Sequence, residues 1–100
     1  MLASVQDLAD VEGFVRKWLG VLADYDERKH TQLLQTLTKY LQHGGGYEAT
    51  SRSLAVHRST LKYRLQRIRE LTGYDMGDPE TRFNLELATR TWVTLAALRG

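Results

Sequence analysis

The chain contains no cysteine and only one proline among its 100 residues. Without thiols there is no disulfide framework and no thiolate metal site, which fits a reducing compartment. No apolar run approaches the ~18 residues a membrane span requires, and the first residues lack the charged-then-apolar layout of a secretory signal. A cytoplasmic setting is expected. Alternating apolar and polar stretches long enough for a strand are also missing, so the chain is expected to be all-α.

Chemistry is excluded on similar grounds. One hundred residues fit a single domain, 1–100, with a core that folds alone but no deep substrate cleft. His30, His43 and His57 are scattered, and none forms the i, i+4 pair of a helical zinc motif. Asp24 and Asp26 sit in an expected short loop without a nucleophile or base nearby. Gly44-Gly45-Gly46 has no strand before it and no Gly-Lys-Ser or Gly-Lys-Thr after it, so it reads as a flexible hinge, not a phosphate loop. No enzyme activity, no metal and no cofactor are expected.

The most informative absence is local. Between Arg52 and Arg69 there is no acidic residue, while Arg52, Arg58, Lys62, Arg64, Arg67 and Arg69 contribute six cations. With 14 cations and 12 acids in the chain, that block of +6 faces a remainder of −4. Such a block releases condensed counterions when laid against the phosphates of a duplex, which carries roughly one charge per 1.7 Å of axis.

Apolar spacing predicts five helices. The first runs from about Ser4 to Leu22 with Leu8, Val11, Val15, Trp18 and Leu22 on one stripe, and with a kink or break at Asp10 or Gly13. Asp24-Tyr25-Asp26 is expected to connect it to a second helix, about Glu27 to His43, with Leu33, Leu34, Leu37, Tyr40 and Leu41 inward. The glycine triplet ends that helix. A third helix covers Tyr47 to Leu54 or Ala55, and a fourth runs from His57 or Arg58 to Leu71 or Thr72 with Leu61, Leu65, Ile68 and Leu71 as its apolar stripe. Gly73 is the natural stop. Asp78-Pro79-Glu80 then signals a fifth helix, by a capping carboxylate, a first-turn proline and an acid at the positive end of the dipole. Phe83, Leu85, Leu87, Ala88, Trp92, Leu95 and Ala96 are expected to face inward from it. Trp18, Trp92, Tyr25 and Tyr40 are assigned to the core or to a subunit contact.

The third and fourth helices, about residues 47–72, have the layout of a helix-turn-helix. The small Ala49 is expected to let the two approach closely, with Leu54, Val56 and Leu61 fixing their angle. The fourth helix would then present Arg58, Ser59, Lys62, Tyr63 and Gln66 to a major groove about 12 Å wide.

Several motifs in order resemble the C-terminal DNA-binding domain of PucR-type (PucR/CdaR-like) bacterial transcription regulators, whose helix-turn-helix is similar to that of Fis. They are Leu34 to Leu41, His43 to Gly46, Ala49 to Leu65, Arg67 to Gly73, and Asp78-Pro79; the resemblance spans about residues 11 to 97. It implies a five-helix bundle that forms the C-terminal part of a longer regulator, binds operator DNA as a homodimer, and leaves effector sensing to upstream domains.

On this reading Arg58, Ser59 and Lys62 contact bases. Arg52, His57, Thr60, Tyr63, Arg64 and Arg67 contact the DNA backbone, and Arg64, Arg67 and Arg69 can alternatively pair with Glu70 and Glu86. Ser59 or Thr60 is a candidate helix cap, and the alternative to phosphate contact for His57 is that it merely begins the helix. The rival class is a helical protein-interaction or dimerisation module that turns the same basic face to an acidic protein.

Overall fold

The computed structural model describes residues 5–100, so the expected start at Ser4 lies outside the described residues. Those residues form α1 (Val5–Lys29), α2 (Leu33–Gln42), α3 (Tyr47–Leu54), α4 (Arg58–Thr72) and α5 (Pro79–Arg99), with no strand among them. The all-α expectation holds, as do the bounds of α3, α4 and the start of α5.

The first two helices divide differently from the sequence reading. α1 continues through Asp10 and Gly13 and through Asp24-Tyr25-Asp26, and the break falls at His30-Thr31-Gln32 instead. His30 adopts a left-handed backbone, φ 56°, which turns the chain without a glycine. Gln32 provides no side-chain cap to α2. The Asp26 carboxylate does so from the preceding helix, accepting the backbone N–H of Leu33 at 2.8 Å and of Leu34 at 2.9 Å, and the Thr31 hydroxyl. Two of the amides that every helix start leaves unpaired are thereby satisfied across the junction.

α2 is the hub, packing against each of the other four helices. α1 also packs on α5 and α4, and α3 packs on α4. The backbone of α5 approaches α1 and α2 but not α3 or α4, so α5 is joined to the helix-turn-helix through both α1 and α2. The core is formed by Leu19 and Leu22 of α1, Leu34 and Leu37 of α2, Leu61, Leu65 and Ile68 of α4, and Leu85 and Ala88 of α5. Trp18, Tyr25, Tyr40 and Trp92 pack at its edge, in line with their assignment. Leu8, Val11, Phe83 and Leu87 are exposed, as is Ala96, although their spacing placed them on the inward stripes; Leu19 carries the burial expected of Val11.

Four threonines are buried, and each donates its hydroxyl to the carbonyl four residues earlier in its own helix or at that helix's N-cap. Thr36, Thr38, Thr50 and Thr89 donate to the carbonyls of Gln32, Leu34, Gly46 and Leu85 at 2.6–2.9 Å. They thus pack as small β-branched groups without the penalty of an unpaired buried hydroxyl.

Candidate nucleic-acid interface

The unit begins at the glycine triplet, which forms a hydrogen-bonded turn rather than a loose hinge. Gly44 and Gly45 have φ 61° and 85°, and their N–H groups donate to Leu41 and Tyr40 at 3.1 and 2.9 Å. Any Cβ at these left-handed positions would strain the backbone. α3 follows, and its close contact is made by Thr50, which is fully buried, while Ala49 is exposed. The expected role of Ala49 in helix approach therefore passes to its neighbour. α3 ends at Ala55, left-handed at φ 56°, where the N–H of Ala55 and of Val56 donate to Arg52 and Ser51. Leu54 and Val56 pack on the core, which fixes the turn between α3 and α4.

His57 caps α4. Its Nδ1 accepts the backbone N–H of Ser59 at 3.1 Å and lies 2.8 Å from the Ser59 hydroxyl. With Nδ1 accepting an N–H, the neutral ring carries its proton on Nε2, which stays free to donate. The cap is thus neither Ser59 nor Thr60. Gly73, at φ 74°, ends the helix as expected.

At ~100° per residue, the faces of α4 follow from its buried side. Leu61, Leu65 and Ile68 point into the core. Opposite them runs a ridge of Ser59, Tyr63 and Gln66, all exposed, with Tyr63 at 69%. The cations stand on the two flanks of that ridge. One flank carries Arg58, Lys62 and Arg69, all exposed; the Arg58 guanidinium lies 5.5 Å from the centre of the Tyr47 ring, a cation–π contact that links the starts of α3 and α4. The other flank carries Thr60, Arg64 and Arg67, all partly buried. Arg64 donates to the Thr36 hydroxyl at 3.3 Å, and Arg67 donates through Nε to the Tyr25 hydroxyl at 3.2 Å and through a terminal nitrogen to Glu70 at 3.3 Å. The bonds from Tyr25 and then Glu70 raise the Arg67 pKa above its ordinary value. Arg52 on α3 pairs with Glu48 at 2.8 Å. The expected pairing with Glu70 forms, whereas Glu86 pairs with Arg82.

Tyr25, Thr36 and Tyr47 are the residues that sequence reasoning missed. Each fixes an arginine of α4, but from 11 to 42 positions away along the chain, and no local pattern marks such partners. Among the described residues no cluster of His, Asp or Glu is arranged to hold a metal ion, and no helix is long and apolar enough to cross a membrane.

Comparison with known proteins places this geometry. The model of the PucR C-terminal helix-turn-helix domain matches residues 33–91, from the start of α2 into α5. The purine catabolism regulatory protein of Bacillus subtilis is 38% identical over 81 residues, 81% of this chain and 15% of that protein. The proline-responsive transcriptional activator PutR of the same organism is 34% identical over 86 residues, 86% of this chain and 21% of that protein. The carbohydrate diacid regulator of Escherichia coli is 46% identical over 56 residues, 56% of this chain and 14% of that protein. The chain spans less than half the length of these curated relatives, and no solved structure gives a significant match. With the matched segment coinciding with the helices that build the basic face, the chain belongs to the family of the PucR C-terminal helix-turn-helix domain, a DNA-binding module of transcription regulators.

Proposed function

We propose that this chain binds double-stranded operator DNA in a sequence-specific manner, as a homodimer, with α4 in the major groove. The observation that carries this reading is the two-sided build of α4, with Leu61, Leu65 and Ile68 buried behind it and Arg58, Ser59, Lys62 and Tyr63 exposed in front. A helix of ~10–12 Å diameter enters a groove about 12 Å wide only with such an unencumbered face.

Arg58, Ser59 and Lys62 read base edges near the start of α4, with guanine the preferred partner of the two cations. Arg52, His57, Thr60, Tyr63, Arg64 and Arg67 hold the sugar-phosphate backbone, His57 by its Nε2–H. A two-fold dimer sets its two α4 helices about 34 Å apart, one turn of duplex. By analogy with the regulators of purine catabolism and proline response, the DNA-binding step serves transcription in the cytoplasm, and effectors act on segments outside this chain.

The test is selection of bound duplexes from a random pool, followed by titration of the selected and a scrambled duplex in rising salt. The selected site is expected to bind at least ~10³-fold more tightly than the scrambled one, with log affinity falling by about 0.9 per log unit of salt for each phosphate contacted. Negligible duplex binding at low salt would leave the basic face to an acidic protein partner and overturn the proposal.

A further inference from the structure

Beside the second flank of α4 lies a cleft of about 360 Å³ between that helix and the α1–α2 junction. One wall is formed by Tyr63, Arg64 and Arg67 and the other by Tyr25, His30 and Gln32. Its lining of two guanidiniums, two phenols, His30 and Gln32 suits a hydrated polar guest better than a dry apolar one. Arg64 is partly buried along this wall, yet among the described residues it has no carboxylate within salt-bridge distance. Its fixed partner is the neutral Thr36 hydroxyl. Arg67 is oriented by Tyr25 and shares only an exposed carboxylate, Glu70. Of the acids beside the junction, Asp26 is engaged in capping α2, Asp24 pairs with Arg16, and Glu27 is exposed and within salt-bridge distance of neither arginine. Both guanidiniums retain N–H donors beyond these bonds, held in a planar fork that matches phosphate oxygens.

We propose that this cleft seats a backbone phosphate of the bound duplex, so that the α1–α2 junction outside the helix-turn-helix is a second wall of the DNA interface. The inference rests on the groove-binding reading above and deepens it. With α4 in the major groove, each flank runs beside one sugar-phosphate strand, and the strand beside Arg64 and Arg67 passes the mouth of the cleft. Tyr25 acts there as a positioning residue, through Arg67, while His30 and Gln32 face the phosphate from the opposite side.

Gln32 offers a mild probe, being exposed, nearly isosteric with glutamate and free of any capping bond. In the whole chain, Gln32→Glu is expected to weaken binding to the selected duplex about three- to ten-fold at moderate salt and Gln32→Lys to strengthen it by a similar factor, as for a unit charge several ångströms from a phosphate. Neither should change the ratio between selected and scrambled sites. Ala97→Glu, at the exposed end of α5 near the Arg99–Glu12 pair, changes net charge equally at a point ~20 Å along α1 from Tyr25, and is expected to have a smaller effect. A single neutral methylphosphonate, moved along a half-site, should weaken wild-type binding at each contacted phosphate, and Gln32→Glu should remove that effect at one of them, the phosphate seated in the cleft. If wild-type protein binds the duplex but Gln32→Glu behaves as Ala97→Glu, the cleft is not a phosphate seat while groove binding stands. If the wild type binds no duplex, both fall. Saturation by inorganic phosphate alone, with duplex binding unchanged, would assign the cleft to a free anion and overturn the proposal.

Discussion

The two flanks of α4 carry the same kind of side chain in different mechanical states. Lys62 and Arg69 are exposed, and Arg58 rests only on an aromatic ring. Arg64 and Arg67 are partly buried and bound to hydroxyls on α2 and α1. A long side chain that must be ordered on binding loses rotamer entropy of up to ~2 kcal/mol, and one already ordered by the fold loses less. On the proposed reading, the free flank adapts to the base edge it meets, whereas the tethered flank receives a phosphate at a fixed place. Adaptable contacts suit reading and fixed contacts suit registration.

The strongest way to break this contrast is to remove the support common to both flanks. Ile68 is fully buried behind α4, so Ile68→Ala is expected to destabilise the domain by about 2–5 kcal/mol and to abolish both kinds of contact together. Chemical denaturation beside duplex titration checks it; selective loss of either contact class would show that the flanks do not share a foundation. Next in size is the division of labour itself. Arg58→Ala should cost on the order of 1–3 kcal/mol on the selected site and blur discrimination at one base pair. Arg67→Ala should weaken all sequences alike and lower the salt slope by about one. Equal, salt-insensitive losses from both would erase the distinction.

The smallest effect concerns a residue on neither flank. Asp78 accepts the backbone N–H of Thr81 at 2.9 Å and its hydroxyl at 2.8 Å, and these bonds hold its carboxyl below the ordinary 3.8. A carboxyl depressed in the folded state contributes stability that is present above its unfolded pKa and fades as pH falls through the folded one. Melting temperature should therefore drop less on acidification in Asp78→Asn than in the wild type, with the Arg58 to Arg67 contrast intact. Identical acid profiles would remove Asp78 from the balance.

The helix-turn-helix was legible because its signals are local. Three leucine-type residues at helical spacing lie within α4, the acid-free basic run spans α3 and α4, a glycine follows the last residue of α4, and Asp78-Pro79 marks α5 in the same way. The α1–α2 boundary was not legible, because Asp24-Tyr25-Asp26 looks like a turn, while the real turn uses a left-handed histidine and a cap supplied from seven and eight positions upstream. Apolar periodicity likewise identified a stripe on α1 but not where its partners end, so Leu8 and Val11 emerge into solvent. The arginine tethers at Tyr25 and Thr36 depend wholly on tertiary placement.

The bridge from Asp26 to the first amides of α2 makes the two helices interdependent. A fragment trimmed to the recognisable family segment, which opens at Leu33, would begin with those amides stripped of their acceptor and with Leu19 and Leu22 gone from the interior. The segment matched by the family model therefore stops short of the packed core, whereas the 81- and 86-residue alignments with the two Bacillus subtilis regulators extend into α1, the helix that supplies both the cap and those leucines.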